Sequence, residues 1–207
     1  MTAIRKHIAR ACMALGAWCS MAFASAAQVQ VSIDTSGLGV SSGFLELQLS
    51  SSTSAPAVTA VLGGWSGFGL AHLVDSWGLN VSGNSIALSN GVPNDALFAV
   101  DFGQPLSFTL WVDGVVDPLQ TEVTRFVVSV LDAGFAPLGA ADPLSGAVLD
   151  LAWAAASDPG TAGVLVTNYR APEVQLSAPT QPVPEPASAL LCLTGLLLLG
   201  AWRRRPR

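Results

Sequence analysis

Residues 106 to 114 read LSFTLWVDG, and apolar side chains occupy every second position from Leu106 to Val112. The positions between them hold Ser107, Thr109, Trp111 and Asp113. A period of two predicts a β-strand with one buried side and one solvent-facing side, because successive side chains of a strand point to opposite faces of its sheet. The segment therefore predicts a half-buried strand.

The same alternation recurs in three further segments, which begin at Val29, Leu45 and Phe126. Shorter strand candidates occupy residues 85–89, 97–102, 147–151, 163–167 and 173–176. Turn signals separate many of these segments, among them Asn90-Gly91, Asp113-Gly114 and Ala133-Gly134. Roughly nine short strands with turns between them predict an all-β fold, a jelly-roll-like β-sandwich that spans residues 27–176.

Charge divides the chain into three parts. Three of the nine basic residues lie in the first ten positions and four in the last five. The middle, residues 27–186, holds all fourteen acidic residues against Arg125 and Arg170, a formal net charge of −12. This acidic middle argues against nucleic-acid binding, because it repels a phosphate backbone.

The basic start of the chain has the three regions of an export signal. Arg5, Lys6 and Arg10 precede an uncharged apolar stretch over residues 11–24. Ala24 and Ala26 then fit a small-x-small cleavage site. We expect residues 1–26 to be a cleaved signal peptide; the alternatives are an uncleaved anchor or a buried helix.

The end of the chain has a proline-rich segment, an apolar segment and a basic terminus. Residues 177–186 predict a semi-rigid stalk that ends in the motif Val183, Pro184, Glu185 and Pro186. Residues 187–202 are uncharged and, as a helix about 24 Å long, predict a short transmembrane span. The terminal cluster, residues 203–207, should stay in the cytoplasm under the positive-inside rule. Its basic residues are Arg203, Arg204, Arg205 and Arg207.

This tail resembles the PEP-CTERM sorting signal of proteins that Gram-negative bacteria export. The resemblance implies that an exosortase, a membrane transpeptidase, recognises Pro184, Glu185 and Pro186 and removes the tail. It also implies transient anchoring in the inner membrane with the middle domain in the periplasm, and then a place at the cell surface or in the extracellular matrix. Proteins of this kind are usually linked to exopolysaccharide and biofilm. A plain C-terminal anchor is the alternative.

Catalytic motifs are missing from the acidic middle. His72 is its single histidine, and Asp75 follows it, but no Gly-x-Ser-x-Gly motif accompanies them. The middle has no lysine and no cysteine, which excludes Schiff-base and thiol chemistry there. Carboxylates such as Asp113, Asp117 and Glu122 suggest a glycosidase only weakly, because their spacing fixes no separation. We therefore expect no enzyme activity, no metal site and no cofactor.

Tryptophans are the remaining candidates for ligand contact. Trp65, Trp77 and Trp111 are possible glycan contacts, since an aromatic ring offers a flat apolar surface. The alternative for each is packing in the core. The sequence thus predicts an exported, non-enzymatic surface or matrix protein. A carbohydrate-binding module and a glycan hydrolase are the alternative functions.

Overall fold

The computed structural model describes residues 27–52, 54–114, 122–139, 146–154 and 164–178, and these ranges form strands and loops with a single 3-10 turn at Leu70–His72. The strands are β1 (Ala27–Ile33), β2 (Ser42–Ser50), β3 (Val58–Ser66), β4 (Leu73–Trp77), β5 (Leu79–Ser82), β6 (Ser85–Ser89), β7 (Asp95–Asp101), β8 (Leu106–Gly114), β9 (Thr124–Asp132), β10 (Ala147–Ala154), β11 (Val164–Arg170) and β12 (Val174–Leu176).

Two antiparallel sheets of six strands contain all of these elements. The first sheet has the order β12-β1-β8-β3-β6-β5, and the second has the order β11-β10-β9-β2-β7-β4. Consecutive strands pair within one sheet at β5–β6, β9–β10 and β10–β11, whereas the other connections in the described order cross between the sheets. The predicted all-β fold is confirmed, and its arrangement is that of a β-sandwich.

The alternation in the sequence places the apolar side of each main strand between the sheets. Along β8, burial alternates strictly from Leu106 to Val112, and β1 pairs with it in register from Ala27 opposite Val112 to Ile33 opposite Leu106. Phe98, Phe108 and Phe126 are almost completely buried. Phe108 and Phe126 lie on opposite sheets with ring centroids 6.2 Å apart, so aromatic contacts join the two layers.

The strand count and one turn differ from the sequence-based expectation. The described residues contain twelve strands, because β3, β4 and β5 occupy a region that showed no clear period. The turn predicted at Asp113-Gly114 is wrong: both residues belong to β8, where they pair with Thr59 and Val58 of β3. The turns at Asn90-Gly91 and Ala133-Gly134 are confirmed.

Buried and half-buried polar side chains connect loops and strand ends. Thr35, only 1% exposed, donates its hydroxyl to the Gln104 carbonyl oxygen at 2.6 Å and accepts from the Gly103 N–H at 2.9 Å. Asn90 joins the start of β3 to Thr124 at the start of β9. These bonds fix the loops because buried polar groups need partners.

Candidate functional site

The residues predicted to direct export and sorting lie outside the described residues. They are Ala24, Ala26, Val183, Pro184, Glu185, Pro186, Arg203, Arg204, Arg205 and Arg207. The predicted span over residues 187–202 lies outside them too. Within the described ranges, no helix is long and apolar enough to cross a membrane. The first residue of the predicted stalk, Ser177, exchanges two hydrogen bonds with the backbone of Gln30, so it extends the pairing of β12 with β1.

Trp65 belongs to the packing between the sheets. Its ring centroid lies 5.2 Å from that of Phe68 and 5.6 Å from that of Phe98. Its indole N–H donates to the Asn84 carbonyl oxygen at 2.8 Å. The aromatic surface of Trp65 is therefore largely engaged by the protein itself.

Trp77, in contrast to Trp65, is highly exposed. It ends β4, an edge strand of the second sheet, and 68% of its surface is accessible. Its cross-strand partner is Asp95 of β7. Val74 and Val81, on the two edge strands that follow one another at this side of the sandwich, are each 56% exposed. The lateral edge therefore exposes three apolar side chains among polar ones, with a carboxylate opposite its tryptophan.

Trp111 lies in the middle of the first sheet and points outward. It stands opposite Gln28 of β1 and Val61 of β3, and Val61 in turn stands opposite Ala87 of β6. Asn80 of β5 completes the row opposite Ala87. The register thus aligns one side chain from each of five neighbouring strands, with apolar groups in the centre and an amide at either end.

The outward side of the first sheet carries almost no charge; we call it the neutral face. Asp113 is the one charged residue among the outward positions that the structure describes on this sheet. These positions are 28, 30 and 32 of β1, 59, 61 and 63 of β3, 80 and 82 of β5, 85, 87 and 89 of β6, 107, 109, 111 and 113 of β8, and 175 of β12. Most of them hold hydroxyl or amide side chains, in a domain whose formal charge is strongly negative.

The outward side of the second sheet is charged instead. Arg125 pairs with Asp150 at 3.1 Å, and the side-chain amide of Gln48 donates to Glu46 at 3.1 Å. Burial, and after it repulsion from Asp95, raise the pKa of Glu46. Burial and repulsion from Asp75 likewise raise the pKa of Asp95. Within the described residues these carboxylates do not form a group that could hold a metal ion.

A shallow depression on the second sheet brings His72 near Ser42 and Asp101. Its volume is about 370 Å³, and Phe44 forms part of its wall. Sequence reasoning weighed His72 with Asp75 and did not find this grouping, because the three residues come from distant segments. No hydrogen bond joins His72 to Ser42 or to Asp101 in the described structure. A Ser-His-Asp relay requires such bonds, so the depression lacks the geometry of a catalytic triad.

No protein-family model matches the chain, and neither a curated protein nor a solved structure is significantly similar to it.

One aromatic pair beside the depression was not visible in the sequence. The rings of Phe44 and Phe135 stack with centroids 4.7 Å apart and planes 1° from parallel. Phe135 has a φ of 64°, a strained value for an aromatic residue. The Asp132 carboxylate holds this turn, because it accepts hydrogen bonds from the N–H groups of Gly134 and Ala136. The turn was predictable, but the stacking partner lies 91 positions away along the chain.

Proposed function

We propose that the protein is an exported, non-enzymatic component of the cell surface or extracellular matrix, which an exosortase sorts through a C-terminal PEP-CTERM tail. Residues 1–26 act as the signal peptide, and a jelly-roll-like sandwich forms the exported domain. Residues 187–202 form a single transmembrane helix that holds the chain in the inner membrane until the tail is removed. The mature domain then associates with exopolysaccharide.

The observation that carries this proposal is the order of elements at the end of the chain. Pro184-Glu185-Pro186 stands directly before sixteen uncharged residues, and arginines follow these at once. The two prolines favour an extended backbone that cannot join the helix. A membrane enzyme therefore meets an unpaired segment at the bilayer surface, while the arginines hold the helix at the cytoplasmic side.

Cell fractionation of strains with and without the exosortase tests the proposal. Replacing Glu185 with Ala should leave export intact, because the signal peptide is untouched, and should yield a full-length protein retained in the membrane. Thr180→Ala, in the same segment but outside the motif, is the matched control and should be trimmed normally. Trimming of Glu185→Ala at the wild-type rate would contradict the role of that glutamate. Identical size and location in both strains would contradict sorting altogether.

Carbohydrate binding is the second candidate function, and the neutral face supports it. A partly exposed tryptophan lies there among hydroxyl and amide side chains, with Gln28 and Asn80 at the two ends of its row. Ligand sites commonly combine an aromatic surface with a few polar groups that fix orientation. This candidate is compatible with the first, because a matrix protein needs a surface that meets the matrix.

A further inference from the structure

We infer that the neutral face is a binding surface for an uncharged, hydroxyl-rich glycan chain, with Trp111 as the ring on which a sugar stacks. The inference rests on the proposed function, since it specifies how a matrix component would contact polysaccharide. It goes further by assigning the surface, the central residue and the class of glycan.

The central row of the neutral face crosses five strands. Gln28, Trp111, Val61, Ala87 and Asn80 lie side by side on five adjacent strands. Strands are spaced about 4.8 Å apart, so the row extends roughly 19 Å across the sheet. A row of this length, apolar on its three central strands and with an amide at each end, suits an elongated ligand that lies across the strands.

The Trp111 ring lies close to Gly63 of the neighbouring strand. Its Cζ3 atom lies 3.6 Å from the point that a Cβ on Gly63 would occupy. The ring therefore extends along the sheet over a position that has no side chain. A partly exposed ring in this position can offer its face to a ligand. The face of an aromatic ring is its electron-rich side, so it attracts the weakly positive C–H groups of a sugar.

Several polar side chains near the Trp111 ring lack a hydrogen-bond partner in the part of the chain that the structure describes. In the described structure the side chains of Gln28, Gln30, Asn80, Thr59 and Thr109 form no hydrogen bond. Hydroxyl and amide groups each both donate and accept, which matches the hydroxyl groups of a sugar. On the second sheet, by contrast, Gln48, Arg125 and Asp150 already bond to neighbouring side chains.

The charge of the domain indicates which class of glycan suits the neutral face. The net negative charge of the domain would repel a polyanionic glycan. The described positions of the neutral face include no basic group that could offset this repulsion. A protein partner normally buries a larger apolar centre than Trp111, Val61 and Ala87 provide. A neutral polysaccharide suffers neither penalty, and its hydroxyl groups can replace the water on this face.

Native affinity electrophoresis of the full-length protein in mild detergent tests the inference. The gels contain hydroxyethyl cellulose or dextran as neutral glycans, or alginate as an acidic one. We expect retardation by at least one neutral glycan and none by alginate. Trp111→Ala should weaken that binding about tenfold, which corresponds to about 1.4 kcal/mol. Trp77→Ala, which removes the more exposed ring on the other sheet, should bind like the wild type.

A second variant guards against misfolding of Trp111→Ala. Gln28→Glu with Asn80→Asp keeps the side-chain shapes and adds two charges at the ends of the row. Measured at about 0.15 M NaCl, which screens the added charges, it should melt close to the wild type and still lose binding. Loss of binding in Trp77→Ala but not in Trp111→Ala would overturn the assignment of the face. Binding to alginate alone, or to none of the three glycans, would overturn the glycan class. Cell fractionation tests the proposed sorting independently, so a failure of glycan binding and a failure of sorting can be distinguished.

Discussion

Asn90 should be one of the costliest polar side chains to remove from this domain. Its Oδ1 accepts from the Val58 N–H at 2.9 Å. Its Nδ2 donates to the Pro56 carbonyl oxygen at 2.7 Å and to the Thr124 hydroxyl at 2.9 Å. Val58 begins β3 in the first sheet and Thr124 begins β9 in the second. Asn90→Ala therefore breaks a connection between the sheets.

The expected cost follows from what the substitution leaves unpaired. Val58 and Thr124 are each 2% exposed, so water cannot readily replace the lost partner, whereas Pro56 is less buried. A buried polar group without a partner costs about 1–3 kcal/mol. We therefore expect Asn90→Ala to lower the free energy of unfolding by about 3 kcal/mol and the melting temperature by roughly 10 °C.

Thermal and urea unfolding, followed by circular dichroism and tryptophan fluorescence, measure the effect. Asn80→Ala is the matched control, because Asn80 is exposed on β5 and its side chain makes no hydrogen bond in the described structure. It should change stability by less than about 0.5 kcal/mol. If Asn90→Ala melted within 2 °C of Asn80→Ala, the connection between the sheets would contribute little and the reasoning would fail.

Three further predictions concern charge. The raised pKa of Glu46 means that the folded state holds this proton more strongly than the unfolded state, so stability should fall as the pH rises from 4.5 through that raised pKa. Glu46→Gln should stabilise the domain slightly at neutral pH, since solvent screens this half-buried carboxylate, and should weaken the pH dependence of the melting temperature, measured from acidic to neutral pH. Rising NaCl should also stabilise the acidic domain, because salt screens repulsion over about 10 Å at 0.1 M. Calcium should add a weak effect in the millimolar range when unfolding is measured at matched ionic strength; a melting temperature indifferent to both salts would show that the carboxylates are well dispersed.

The four strands β1, β2, β8 and β9 were predictable from their alternation in the sequence. β1, β2 and β8 alternate cleanly, because one face of each contacts the core and the other contacts solvent, whereas β9 departs from this pattern at Ser129, which is only 5% exposed. For these strands the local sequence pattern is therefore enough to predict which side is buried. The positions of β7, β10, β11 and β12 were also predicted to within a few residues.

The strands around Trp65 and Trp77 were not predictable by the same rule. β3 alternates only up to Leu62, and its pairing with β8 then shifts between Gly63 and Ser66. β4 and β5 form the lateral edge, where nearly every side chain is exposed, so burial imposes no period on their sequence. A strand at an edge is defined by its one hydrogen-bonded neighbour, which is a property of the fold.

The sequence also predicts one part of the candidate surface but not the rest. Trp111 occupies a polar position of its strand, and this alone predicts that it points outward. The row that joins it to Gln28, Val61 and Asn80 depends on the order of strands in the first sheet. Strand order arises from contacts between distant segments, so the sequence indicated the tryptophan but not the surface around it.

The polar groups on the two outer faces differ in whether they already have hydrogen-bond partners within the protein. On the second sheet, Arg125 with Asp150 and Gln48 with Glu46 already satisfy one another, so a ligand there would have to break internal bonds first. On the neutral face, the hydroxyl and amide groups near Trp111 exchange hydrogen bonds with water, and replacing that water costs at most about 2 kcal/mol per molecule. Recognition of a polar, uncharged polymer is therefore favoured where the protein has left its own polar groups unpaired. That condition is met around Trp111, and for this reason we propose Trp111 rather than the more exposed Trp77 as the stacking ring.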